Sequence, residues 1–119
     1  MLKKQNRLKS RLAFNRIYKT SKSVASSSLI LYIDKEKTDK NCPTRVGFVV
    51  SKKVHKRAVK RNRVKRLIRE NIRLMLKEDF EEINKYQNLI FIARNKILDM
   101  NLDEINELIL ILFKKVANK

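Results

Sequence analysis

The sequence predicts an α+β fold of one domain, a sandwich of helices on a small central sheet in the order αβββαβα. Three observations carry this. Strand-length apolar segments occur at 29–33, 45–51 and 88–93, whereas apolar residues recur at helical spacing over 57–76 and 101–116. The 119 residues suffice for one core and not for two, so residues 1–119 are read as a single domain. A chain with one glycine and one proline has few breakers, so regular structure should dominate.

Taken in order, Ser10 can cap a first helix over 11–19, on which Phe14, Ile17 and Tyr18 share a face. SVASSS at 23–28 is either irregular or a weak first strand. LILYI at 29–33 reads as a strand with Leu29, Leu31 and Ile33 on one side and Ile30 and Tyr32 on the other. The polar stretch 35–44 is a loop, and RVGFVVS at 45–51 a further strand, in which Gly47 signals a bulge or a close backbone approach. A long helix over 57–76 places Val64, Leu67, Ile68, Asn71, Ile72 and Met75 toward the sheet. DFEEINKY at 79–86 is a helical or turn-like continuation. NLIFIA at 88–93 is apolar without alternation, as expected of a strand buried on both faces. Asn101 caps the last helix with Glu104 as its box partner, and Leu102, Ile105, Leu108, Ile109, Leu112 and Val116 line its inner face.

The formal charge is +18 and it is unevenly placed. Residues 1–69 carry 22 Lys/Arg against three acids, and residues 70–119 carry eight against nine. From Lys56 to Glu70, KRAVKRNRVKRLIRE, eight of fifteen residues are basic, and no acid occurs between Lys40 and Arg69. A solvated helix ordinarily mixes signs for i,i+4 pairing; this one does not, so a polyanionic partner is implied. Arginine dominates at Arg57, Arg61, Arg63, Arg66, Arg69 and Arg73, and guanidinium forks suit phosphate and base stacking. Lone Cys42 excludes an intramolecular disulfide and fits a reducing compartment. No apolar run approaches the roughly 18 residues of a membrane span, and the basic N-terminus lacks a signal-type apolar region. The chain therefore reads as cytoplasmic, without a membrane partner.

Catalytic groups are sparse. His55 is the sole histidine and lies among cations. The carboxylates form neither an acid/base pair nor a metal cage, and Gly47 alone cannot build a phosphate loop. Phe14, Tyr18 and Tyr32 suit a stacking platform for single-stranded RNA, although their spacing is equally that of core residues. The residues alone thus lead to an RNA-binding accessory protein. A ribosomal protein and a protein-only nuclease remain open; a major-groove DNA reader is more distant, since no helix-turn-helix spacing precedes the basic helix.

The run AVKRNRVKRLIRE resembles the signature A-x-x-R-N-R-x-K-R-x-x-R of the protein subunit of bacterial ribonuclease P, through Arg61-Asn62-Arg63 and its flanks. RVGFVVSKK at 45–53, NRLKSRLAFNRIYKT at 6–20 and FIARN at 91–95 resemble further segments of that family, in order and over nearly the whole chain. The resemblance implies a ribosomal protein domain 2-like fold with a left-handed βαβ crossover, against the usual rule. It implies binding, most simply 1:1, to a catalytic RNA that removes the 5′ leader of precursor tRNA, with Mg²⁺ held mainly by the RNA and no catalytic residue on the protein. The catalytic-RNA face would comprise Arg57, Arg61, Asn62, Arg63, Lys65, Arg66 and Arg69. The leader cleft would comprise Phe14, Tyr18 and Tyr32, with Lys52 and Lys53 on its rim. The chain departs from the family at Ser21 and at Val54-His55, where glycine is frequent.

Overall fold

Asn88–Ala93, apolar without alternation from Leu89 onward, forms the strand on which the other layers assemble. The computed structural model describes residues 3–39, 41–51, 53–78 and 80–117. Among them the elements are α1 (Arg11–Thr20), β1 (Lys22–Ala25), β2 (Leu29–Ile33), β3 (Arg45–Val49), α2 (Ala58–Lys77), α3 (Glu81–Asn84), β4 (Asn88–Ala93) and α4 (Leu102–Ala117). Short 3₁₀ turns occupy Lys4–Asn6 and Asn95–Asp99, and neither is among the elements the sequence predicts.

The sheet order is β1-β2-β4-β3. β1 pairs antiparallel with β2, and β2 with β4, whereas β3 lies parallel to β4, with α2 and α3 in the connection between them. β4 is therefore flanked on both sides and covered above and below, which is why its side chains need not alternate. Leu89, Phe91 and Ala93 join Leu29, Leu31, Ile33 and Val46 in the main core beneath α2 and α4. Ile90 faces the other way, into a smaller cluster with Leu8 and Ile17 against which Phe14, Tyr32, Val49 and Ile92 pack. The weak segment after Ser21 does become a strand, because Lys22–Ala25 pairs along Ile30–Ile33.

The helices obey their local signals. Ser10 Oγ accepts the Ala13 N–H at 3.3 Å at the start of α1. At its end Ser21 has φ −95°, an ordinary backbone that needs no glycine. On α2, Val64, Ile68, Asn71, Ile72 and Met75 are buried as the periodicity predicts. Asn71 is tolerated there because its amide donates to Leu67 O at 3.2 Å and to Leu102 O at 3.1 Å. The cap of α4 is reciprocal: Glu104 N–H donates to Asn101 Oδ1 at 2.9 Å and Asn101 N–H to Glu104 Oε1 at 3.2 Å. Its inner face is rotated slightly from expectation. Phe113 is buried edge-on to Phe91 and Phe80, while Leu102, Leu108 and Val116 are only half-buried.

α1 is fixed to the sheet by one polar joint. The Arg16 guanidinium donates to Asp34 Oδ2 at 3.0 Å, Asn88 Nδ2 donates to the same oxygen at 2.8 Å, and the Asp34 side chain is only 6% exposed. Burial pushes the Asp34 carboxyl up, but hydrogen bonds from Asn88, Arg16 and the Lys35 N–H, with the Arg16 charge, outweigh it and hold it below its ordinary value. A carboxyl depressed in the folded state stabilises above its unfolded pKa, and this contribution is lost as pH falls through the folded value. Asp34→Asn should therefore cost about 1.5–3 kcal/mol near neutral pH. The gap from the parent should narrow in acid, below the ordinary value of 3.8. Urea melts of both proteins at neutral and acidic pH check this; an equal gap at both would rule out the charge as the source.

Candidate nucleic-acid interface

The basic helix starts from a loop that its own side chains tie down. His55 Nδ1 accepts the Arg57 N–H at 3.0 Å, which serves one of the unpaired donors at the start of α2. Arg61 then folds back, donating through Nη1 to His55 O at 2.9 Å and to Lys56 O at 2.7 Å. Arg63 reaches across to the β4–α4 connection, donating to Leu98 O at 3.2 Å and to Met100 O at 3.5 Å. Arg73, a turn beyond the acid-free run, forms a fork with Glu70 at 2.6 and 3.1 Å.

The seven motif positions thus fall into different environments. Arg57, Asn62 and Arg66 are exposed, and their side chains bond to none of the described residues. Lys65 and Arg69 are half-buried, and the Arg69 guanidinium lies 5.7 Å from the centroid of the Phe48 ring. Arg61 and Arg63 are half-buried and already hold backbone carbonyls.

The aromatic residues converge on the opposite side of the sheet. Phe14 and Tyr18 project from α1, with ring centroids 6.3 Å apart, and Tyr18 meets Tyr32 edge-on at 5.1 Å. Gly47 makes this seating possible. It forms no bulge, since β3 stays in register with β4 from Arg45 to Val49. Instead, a Cβ at Gly47 would overlap Phe14 Cζ and lie 2.7 Å from Cε1. The rings belong partly to the minor core and partly to solvent: Phe14 and Tyr32 are half-buried and Tyr18 is 37% exposed. Burial, and then the neighbouring Tyr32, push the Tyr18 phenol above its ordinary pKa. It stays protonated at neutral pH and can donate a hydrogen bond.

The two faces meet at the β3 edge. The N-terminal segment covers that edge through a parallel bridge of Arg7 to Val46, and Leu8 N–H donates to Val46 O at 3.0 Å. Beside it a hollow of about 250 Å³ is lined by Phe14, Phe48, Lys9, Lys65 and Arg69, among others, so one aromatic side chain of α1 and two cations of α2 share a cavity. Lys52 lies outside the described residues. Lys53 lines a separate hollow of about 410 Å³ at the far end of the sheet, with Arg94, Lys96, Ser27 and Ser51. Phe48, Lys9, Arg94 and Lys96 are site residues that sequence reasoning missed. Only Arg94, immediately after NLIFIA, and Lys96, two residues on, carried a signal, as cations near a strand end.

Chemically, the arrangement suits a polyanion with unstacked bases. Phosphates can meet the cations of α2, and bases can stack on those parts of the rings that are exposed. Among the described residues no three His, Cys, Asp or Glu side chains gather as a metal site requires. No helix among them is long and apolar enough to cross a membrane.

Comparison with known proteins places these features in one family. The model of the ribonuclease P family matches residues 2–117. The ribonuclease P protein component of Alkaliphilus oremlandii is 42% identical over 115 residues, covering 97% of this chain and 94% of that one. The Staphylococcus aureus RNase P protein is 34% identical, superposes with a TM-score of 0.76, and is covered over 96% of its length by 95% of this chain. A further S. aureus structure, of an RNase P protein mutant with defective mRNA degradation activity, is 33% identical with a TM-score of 0.77, covering 94% and 88% of the two chains.

Two outcomes follow from the geometry. Gly47→Ala should overpack the Phe14 seat, destabilise the fold by about 1–3 kcal/mol and weaken binding of a short single-stranded RNA. A denaturant melt and a titration with labelled oligoribonucleotide measure both effects; a parent-like melt would mean the ring moves aside freely. Sulfate should raise the melting temperature above that in chloride of matched ionic strength, because anions at the α2 cations bind only the folded state. Identical melts would count against a preformed anion surface.

Proposed function

Because this chain belongs to the ribonuclease P protein family, we propose that it is the protein subunit of a ribonuclease P ribonucleoprotein. In this reading it binds the catalytic RNA and the 5′ leader of precursor tRNA and promotes removal of the leader to generate the mature 5′ end. The observation that carries it is the junction of a cationic helix with an aromatic groove at the β3 edge. Affinity for RNA comes from the α2 face of Arg57, Arg61, Asn62, Lys65, Arg66 and Arg69. The leader lies over Phe14, Tyr18 and Tyr32, each stacked base contributing about 1–3 kcal/mol, with Lys53 farther along its path.

The protein side supplies binding and orientation; hydrolysis is assigned to the RNA. The support for this is the chain's own chemistry. His55 Nδ1 is engaged with the start of α2, Asp34 is locked between Arg16 and Asn88, and no carboxylate cluster among the described residues suits a divalent ion. Mg²⁺ is accordingly assigned to the RNA, and no step is routed through a metal on the protein. A 1:1 complex acting in the cytoplasm is the simplest arrangement.

Reconstitution on labelled precursor tRNA at near-physiological Mg²⁺ tests this. Protein alone should be inert, a bacterial ribonuclease P RNA alone slow, and the pair efficient at the mature 5′ end. Arg57→Ala/Arg66→Ala protein should fail to help. Cleavage by the protein alone would transfer the chemistry to this chain, an outcome made concrete by the mRNA degradation activity ascribed to the S. aureus relative. A protein that never assists the RNA would instead favour a ribosomal role.

A further inference from the structure

The arginines of the Arg61-Asn62-Arg63 motif do not share one task, and Arg63 is the clearest case. The connection between β4 and α4 passes alongside α2 with backbone carbonyls that need donors. Within it, Ile97 N–H donates to Arg94 O and Met100 N–H to Ile97 O, both at 3.1 Å. The next N–H at 3₁₀ spacing, that of Asn101, is given to Glu104 Oε1 instead, so it does not serve Leu98 O. Arg63 supplies the missing donors, with Nη1 on Leu98 O and Nη2 on Met100 O. Farther along α2, Asn71 donates to Leu102 O at 3.1 Å. Side chains of one helix therefore meet the carbonyls of residues 98, 100 and 102 in succession.

We infer that Arg63 is a positioning residue: it latches the β4–α4 connection to α2 and does not itself meet an RNA phosphate. A guanidinium spans two carbonyls on alternate residues because its donors are fixed in a planar fork; a lysine ammonium on a flexible stem cannot reproduce that pairing. The latch holds in place the segment that bears Arg94, Asn95 and Lys96, which line the hollow with Lys53. It thereby keeps a second cationic patch at a set distance from the exposed Arg57, Asn62 and Arg66. This functional consequence rests on the proposed RNA-binding role of α2, whereas the latch itself is a property of the free protein.

The two are separated by measuring both. In the free full-length protein, hydrogen exchange of the Ile97 and Met100 amides should be about tenfold faster in Arg63→Ala and in Arg63→Lys than in the parent, and unchanged in Arg66→Ala. Arg63→Lys keeps the charge and guards against a variant that fails to fold. In binding to a bacterial ribonuclease P RNA, the log–log salt slope should be unchanged in Arg63→Ala and Arg63→Lys, but reduced in magnitude by about 0.7–0.9 in Arg66→Ala. Parent-like exchange in both Arg63 variants would overturn the latch. A slope reduction in Arg63→Ala matching that of Arg66→Ala would make Arg63 a phosphate contact. If no variant, Arg66→Ala included, changes the slope, the RNA-facing role of α2 fails, and the exchange data still decide the latch.

Discussion

Everything in this protein depends on burying both faces of β4. A strand covered on one side only would leave either Leu89, Phe91 and Ala93 or Ile90 and Ile92 against water. The chain avoids this by packing α2 and α4 on one face and α1 with the N-terminal segment on the other. The consequence is two apolar layers of unequal size. The large one supplies most of the stability. The small one is thin enough that its outer aromatic residues remain partly open, and a binding groove needs that openness. Phe14 can lie so close to the sheet only because the β3 residue beneath it is Gly47.

The second organising problem is charge. A chain of net charge +18 repels itself, and its most basic segment is also a helix that must dock closely. The structure answers without introducing acids into the basic run. Arg61 and Arg63 spend their donors on backbone carbonyls, Arg69 rests over Phe48, and Arg73 pairs with Glu70 just past the end of the run. Carbonyl oxygens carry partial negative charge and no counter-ion of their own, so they hold a guanidinium without neutralising it. The field of the helix survives for a polyanion outside, while its geometry is braced from within. That is a physical reason for arginine at positions where lysine would carry the same charge.

The polar joint of Arg16, Asp34 and Asn88 links the two themes. It ties α1, which bears the groove's rings, to the starting edge of β4, and its carboxylate is one of only three acids before Glu70. Acids are scarce in that half of the molecule, and this one is placed where it orients a helix and not where it would quench the basic ridge.

Much of this was legible in the sequence. Period-two and period-3.6 patterns are local, so the inner faces of β2 and α2 followed from spacing alone. So did the reciprocal cap of α4, because Asn101 and Glu104 lie within one turn of each other. The unalternating run 88–93 announced its double burial, and the segregation of charge into residues 1–69 announced the cationic face of α2. Other features required the folded chain. The 3₁₀ turn after β4 carried no periodic signal, and Gly47 suggested a close approach without saying what approached. The tasks of Arg61 and Arg63 could not be separated from those of Arg57 and Arg66, because all four look alike along the chain. Arg63 finds its carbonyls on residues some 35 positions away, which come alongside α2 only when the sheet closes. Short-range spacing determined the elements, and composition the sign of the surface; long-range packing decided which cations face outward and which hold the fold together.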